Sequence, residues 1–181
     1  MAYHSSDLTT YRCRLTPVTA ADAPFVFRGL SDPHVVQYFP AHVRFQSLEE
    51  VLEKQMTFYA KHAADQTGLL WVARLDGAEL GVIGLYDYKP QDRCAELGYW
   101  LAPEFWGQGL GTELVAAVLA YGFAAWELNR IEAYVEDANG ASVRLLEKHG
   151  FTREGCMRQK EWRDGVPLDL CVYGLLRSES P

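Results

Sequence analysis

The stretch richest in chemistry is Trp106-Gly107-Gln108-Gly109-Leu110-Gly111-Thr112. Glycine at every second position lets the backbone turn with its N–H groups bare, and a helix starting there adds spare donors of its own. Aligned peptide dipoles contribute about half a positive charge at that end, so a diphosphate is a natural guest. The same glycines also suit a plain tight loop, and both readings stand at this level. Two better-known phosphate loops do not fit. A nucleotide-binding P-loop ends in Gly-Lys-Ser/Thr, whereas Gly111 is followed by Thr112 with no lysine. A dinucleotide fingerprint needs Gly-x-Gly-x-x-Gly, but Gly107 and Gly109 lead to Thr112, and Gly109 and Gly111 lead to Leu114. No Ser or Cys sits in a nucleophile motif such as Gly-x-Ser-x-Gly, which favours direct attack on a bound donor over a covalent enzyme intermediate. Cys13, Cys94, Cys156 and Cys171 form no Cys-x-x-Cys pair, so each reads as an uneventful reduced thiol and no metal is expected.

These residues need elements to hold them. Of 181 residues 49% are apolar and 23% charged, enough for one domain with a real core. The expectation is a single domain over residues 1–181, ordered over about 10–176, with Arg177 to Pro181 as a frayed end. Seventeen Lys and Arg against 24 Asp and Glu leave a net charge of −7, the wrong sign for a duplex-binding surface, so no nucleic-acid partner is expected. No run approaches ~18 consecutive apolar residues. Met1 to Asp7 lacks a basic segment followed by an apolar one. No membrane contact is expected, and the cytoplasm is the expected compartment.

Periodicity predicts a strand over Tyr11 to Leu15, a helix started by Thr19 and Asp22, and a short helical piece from Asp32-Pro33 to Tyr38. Ser47 to Glu50 is a capping box, with Val51, Leu52, Gln55, Phe58 and Tyr59 following at helical spacing. Strands then fall at Leu69 to Leu75, Leu80 to Tyr86 and Ala95 to Leu101, the first two joined by Asp76-Gly77. A long helix runs from Leu110 to about Trp126, a strand over Ile131 to Glu136, and a helix from Asn139 to about His149, ended by Gly150. A hairpin closes the chain, with strands Phe151 to Trp162 and Leu168 to Leu175 about an Asp164-Gly165 turn. The class is α+β, with one mixed, mostly antiparallel sheet of six or seven strands flanked by helices.

The sequence resembles the GNAT superfamily of acyl-CoA-dependent N-acetyltransferases, whose hallmark is Arg/Gln-x-x-Gly-x-Gly/Ala at a helix start. Gly109 and Gly111 match the two small positions, and Trp106 stands where Arg or Gln is usual. More narrowly it resembles the branch that acetylates N-termini of ribosomal proteins. The matching pieces are Ala95 to Leu101, the Trp106 to Glu113 loop, Asn139 to Ser142, His149-Gly150-Phe151 and Glu154 to Glu161. The likeness runs from about Leu80 to Leu176 and is loose before that. It implies that backbone amides of Gly107, Gln108, Gly109, Leu110, Gly111 and Thr112 hold the diphosphate of acetyl-CoA. It further implies that the strand Glu96 to Leu101 splays from Ile131 to Glu136, two central strands of the sheet. The pantetheine arm would then pair with the free edge near Trp100 and Leu101. Asn139 would touch the cofactor, although Asn is also among the best helix N-caps. A homodimer is common in that branch, while no residue of this chain spells one out.

Acetyl transfer to an amine needs a neutral amine, a polarised carbonyl and a proton for the departing thiolate. At pH 7 an α-amine pays about 1.2 kcal/mol to be neutral and a lysine about 4.6, so an N-terminal amine asks less of a base. Glu161 is the base candidate: by alternation it shares a face with Met157 and Gln159, and the matching Glu of the resembled branch holds that role. Its plain alternative is a solvated charge beside Lys160 and Arg163. Many family members protonate the thiolate with a Tyr at a position that is Leu146 here, so Ser142 is the hydroxyl left over, and it matches a Ser given this role in the branch. Glu96 is a rival base, or else an ion-pair partner of Arg93. His149 reads as a helix-end residue. The expected acceptor is a primary amine, first the α-amine of a ribosomal protein. The rivals are a small amine such as a polyamine, an amino acid or an antibiotic, and a module that binds acyl-CoA without turnover.

Overall fold

Two nearly unbroken apolar runs form paired antiparallel strands in the middle of one sheet: β3 (Leu69–Leu75) and β4 (Ala78–Lys89). A strand covered on both faces needs apolar side chains at every position. Leu69, Trp71 and Ala73 belong to one core, while Leu70 and Val72 belong to a second core on the other face. Asp76 and Gly77 join the strands with φ of 49° and 84°, the left-handed pair that a two-residue hairpin turn requires. The computed structural model describes residues 6–180; residues 1–5, which belong to the segment read above for a signal, and Pro181 of the tail lie outside the described residues.

The sheet has eight strands rather than six or seven. With β1 (Leu8–Thr9), β2 (Arg14–Pro17), β5 (Cys94–Leu101), β6 (Arg130–Glu136), β7 (Thr152–Arg163) and β8 (Val166–Leu176), the order is β1-β2-β3-β4-β5-β6-β8-β7. The difference arises at the start. Tyr11 is 96% exposed and sits in a turn, where Thr10 N–H donates to the Cys13 carbonyl (2.8 Å) and Cys13 N–H to Thr10 Oγ1 (2.8 Å). Of the strand predicted over Tyr11 to Leu15 only Arg14 and Leu15 lie in β2, and residues 11–13 belong to the turn that joins it to β1. At the other end the tail is not frayed as far as Glu179: residues 177–179 form a 3-10 turn, with Leu176 N–H donating to Glu179 Oε2 (3.1 Å).

On one face lie α1 (Ala23–Leu30), α2 (Pro33–Val36), α3 (Leu48–Glu50) and α4 (Thr57–Ala64), and on the other α5 (Leu110–Ala125) and α6 (Gly140–Lys148). Between α3 and α4 the backbone widens into a π-helix over Val51–Met56. Val51 and Met56, five apart, are buried, whereas Leu52 and Phe58 are exposed, which corrects the regular 3.6-residue stripe expected there. Ser47 Oγ accepts from Glu50 N–H (3.2 Å), while the Glu50 carboxylate accepts from Gln46 N–H (2.8 Å), a box closed one residue early. All neighbouring strands are antiparallel except β5 and β6, which pair in parallel only over Cys94–Glu96 and Arg130–Glu132. Beyond Glu96 the two strands part, and both clefts described next open at that gap.

Candidate active site

The first cleft, of about 540 Å³, lies at the start of α5. Residues 103–105 make a 3-10 turn, after which Gly107 (φ 73°) and Gly109 (φ 74°) bring the chain into the helix, with Gly109 as its N-cap. An L side chain in that conformation costs about 1–2 kcal/mol, so glycine is what the entry angle needs. The first N–H groups of α5 have no partner within the helix. Gly107, Gly109, Leu110, Gly111 and Thr112 line the cleft together with Arg144 and Lys148 of α6. Lys148 Nζ reaches Thr112 Oγ1 at 3.5 Å. Free amides, a helix N-terminus and two cations fit a diphosphate. Gln108 is the exception in this run: its side chain donates to the Glu104 carbonyl (2.8 Å), and it does not line the cleft. Its carbonyl accepts from Arg12 Nη1 (3.0 Å), while Arg12 Nε pairs with Glu113 (2.7 Å), so a residue near the N-terminus braces the loop. Sequence reading gave no signal for Arg12, because the contact spans about a hundred residues.

Trp100 and Leu101 border the same cleft. The Trp100 indole is buried against Phe25, ring centroids 5.1 Å apart, so only its backbone can offer an edge group. The Leu101 carbonyl already accepts from Trp106 Nε1 (2.8 Å), the residue that stands where Arg or Gln is usual. Asn139 caps α6, its Oδ1 accepting from Ser142 N–H (3.2 Å), and this use leaves its NH₂ donors for the cleft it lines. His149 is buried at the end of α6 and hydrogen-bonded to the Thr112 backbone; burial holds its pKa below the usual value, as suits a structural cap.

The second cavity, of about 520 Å³, lies on the other side of the gap and holds the carboxylates. Glu96, Glu136 and Glu161 all line it, among the aromatic side chains of Phe58, Tyr59, Tyr86 and Tyr134. Their electrostatic states differ. Glu136 is buried and paired with Arg163. Glu96 is pushed up to about 7, first by burial and against a hydrogen bond donated by the Tyr86 hydroxyl. Tyr86 fits because a side chain at Gly98 would come within 2.7 Å of its ring. The proposed Arg93–Glu96 ion pair is not formed, since Arg93 donates from Nε (2.9 Å) and Nη2 (2.7 Å) to the Glu127 carbonyl. Glu161 is half-buried, and among the described residues no ion pair to it is found, Arg163 being taken by Glu136.

The strand carrying Glu161 is not regularly alternating. Pairing jumps from Met157↔Leu170 to Glu161↔Leu168, a bulge within which Gln159 has φ 53° and donates its N–H to Asp169 (2.8 Å). Glu161 and Met157 still oppose two leucines of one face, but Gln159 leaves the alternation, which corrects the three-residue face expected there. The two cavities share Val35, Tyr38 and Phe39 on one side and Tyr99, Trp100, Asn139 and Ser142 on the other. At this junction the Tyr99 hydroxyl donates to Ser142 Oγ (3.2 Å). Burial pushes Tyr99 up to about 12, so it keeps its proton at neutral pH. Leu146, where a tyrosine is usual, is buried at the wall of the second cavity. Sequence reasoning assigned Tyr99 no role, because its contact with Ser142 spans 43 residues and has no local signal. Among the described residues no group of three or more His, Cys, Asp or Glu side chains is placed to hold a metal ion, and no helix is long and apolar enough to cross a membrane.

A mixed sheet parted between two central strands, with a glycine-led helix N-terminus facing the gap, defines an acyl-CoA-dependent transferase. The chain belongs to the acetyltransferase (GNAT) domain family, whose model matches residues 12–152. It is an acetyl-CoA N-acetyltransferase of the GNAT type. It is 37% identical over 172 residues to the uncharacterized N-acetyltransferase YoaA of Bacillus subtilis (strain 168), covering 94% of this chain and 96% of that one. To the ribosomal-protein-serine acetyltransferase of Escherichia coli (strain K12) it is 30% identical over 94 residues, 52% of each chain. The crystal structure of spermidine N-acetyltransferase from Vibrio cholerae, in complex with CoA and spermine, shares the fold with a TM-score of 0.83 at 24% identity, over 93% of this chain and 97% of that one.

Proposed function

We propose that the chain acetylates the α-amine at a polypeptide N-terminus, with ribosomal proteins as the first class to try, in the cytoplasm where acetyl-CoA and nascent chains meet. The observation that carries this reading is the charge state of the acceptor cavity. A polyamine needs several anions spaced along its length, yet Glu136 is paired with Arg163 and burial pushes the Glu96 carboxyl up to about 7, away from a permanent negative charge. Glu161 is left as the open carboxylate, which suits a single amine with an uncharged chain behind it. The ribosomal relative in Escherichia coli supports the same choice.

In this reading acetyl-CoA supplies the thioester, and its diphosphate lies on the amides of Gly107 and Gly109 to Thr112, with Arg144 and Lys148 adding charge and Asn139 offering its NH₂. Glu161 takes the amine's proton. Ser142 donates to the departing sulfur, and Tyr99, a positioning residue, holds one lone pair of Ser142 so that the serine proton points elsewhere. A second reading gives the base role to Glu96, favoured by its burial and its value of about 7, close to the working pH. Thiol release is the test, measured with ribosomal N-terminal peptides beside spermidine and free amino acids. Release only with peptides is expected, and release only with small amines would overturn the acceptor assignment. Glu161→Gln is expected to lower kcat by about 10² or more with CoA affinity unchanged. An unchanged rate would move the base role to Glu96.

A further inference from the structure

Outside both cavities, the closing hairpin sets two thiols face to face. Cys156 of β7 lies directly opposite Cys171 of β8, their Sγ atoms 2.7 Å apart, and neither is in a disulfide. Directly opposed residues of an antiparallel pair have Cα atoms about 4.5–5.5 Å apart, inside the span a disulfide can bridge. The two sulfurs are unequal. Cys156 is exposed and Cys171 fully buried, with Arg153 Nη2 donating to the Cys171 sulfur (3.1 Å) while its Nη1 holds Asp137 (3.1 Å). Cys13 and Cys94 are buried in other strands and turns, which makes them internal controls. The pair is fifteen residues apart in the chain, and the strand register sets the two opposite one another.

We propose that Cys156 and Cys171 form a dithiol modification site that a hydroperoxide oxidises to an intramolecular disulfide. The exposed Cys156 sulfur, as thiolate, attacks one peroxide oxygen; the O–O bond breaks, the other oxygen leaves with a proton, and Cys156 becomes a sulfenic acid. The Cys171 sulfur then attacks the Cys156 sulfur, an S–S bond forms, and the sulfenic oxygen leaves as water with the Cys171 proton. Two thiols are oxidised by two electrons and one peroxide is reduced. Burial and the neighbouring thiol push Cys171 up to about 11, which keeps it a thiol until Cys156 has reacted and leaves the first step to Cys156. The bond would close the hairpin just before the bulge that carries Glu161, without entering either cavity.

The test uses the full reduced chain, treated with one equivalent of hydrogen peroxide, alkylated, and mapped by mass spectrometry without reduction. A linked peptide pair containing Cys156 and Cys171, lighter by two hydrogens, is expected, with Cys13 and Cys94 alkylated and the link reversed by dithiothreitol. Cys171→Ala is expected to leave a sulfenic acid on Cys156 that a dimedone probe captures. The proposal is overturned if both thiols stay alkylatable, if Cys156 proceeds to sulfinic acid while Cys171 of the unaltered chain remains free, or if the links formed involve Cys13, Cys94 or a second copy. Cys156→Ser supplies the reciprocal control should Cys171→Ala fail to fold: with it, Cys171 is expected to resist peroxide, and its rapid oxidation would contradict the order of steps.

Discussion

Glu96 and Glu161 show how placement sets the chemistry of one residue type. The carboxyl of Glu96 is raised from 4.5 to about 7, so between those values the folded protein holds its proton more tightly than the unfolded chain. Stability contributed by the neutral form is therefore full below about pH 4.5 and lost as pH climbs to about 7, by on the order of 3 kcal/mol. Glu96→Gln is expected to remove that trend: urea midpoints at pH 5 and pH 8 should differ less in the variant than in the unaltered protein. An equal difference in both would show that Glu96 is not the group responsible. The Tyr99 hydroxyl is a neutral donor to Ser142, a class of bond worth about 0.5–1.5 kcal/mol. Tyr99→Phe is expected to lower kcat by roughly 2–10-fold and leave the KM for acetyl-CoA in place, and no further loss should appear when it is added to Ser142→Ala. Additive losses in steady-state kinetics would detach Tyr99 from Ser142.

Elements that announce themselves locally were legible in the sequence. The capping residues Asp32, Ser47 and Asn139, the turns at Asp76-Gly77 and Asp164-Gly165, and the apolar runs of β3 and β4 all depend on neighbours in the chain, and all are found where the pattern puts them. What escaped depends on distant partners or on an extra residue. The turn at Thr10–Cys13, the π-helix before α4 and the bulge at Gln159 each insert a local change that an ideal period does not contain. The candidate site divides the same way. Its glycine loop was readable, whereas the Arg12 brace, the Arg163–Glu136 pair and the Tyr99–Ser142 bond exist only once the sheet is assembled. At this scale Gly109→Ala is the informative change. With φ of 74° the alanine is strained by about 1–2 kcal/mol, so CoA affinity is expected to fall about 5- to 30-fold by calorimetry. Unaltered affinity would mean that the loop conformation does not matter to the ligand.

The whole molecule is a sheet opened at one seam. β5 and β6 hold together through Cys94–Glu96 and Arg130–Glu132 and then part, and each side of the opening is furnished differently: amides and cations toward α5 and α6, aromatic rings and carboxylates toward α1 to α4. The account depends on these two cavities being one reaction chamber that meets at Tyr99, Asn139 and Ser142. A bisubstrate analogue, with the CoA sulfur joined through a short acyl spacer to the α-amine of a ribosomal N-terminal peptide, tests this directly by calorimetry. Because the second contact becomes intramolecular, the analogue is predicted to bind at least about 10²-fold more tightly than CoA. An analogue that binds no better than CoA alone would contradict the account, since the peptide would then have no place beside the thioester.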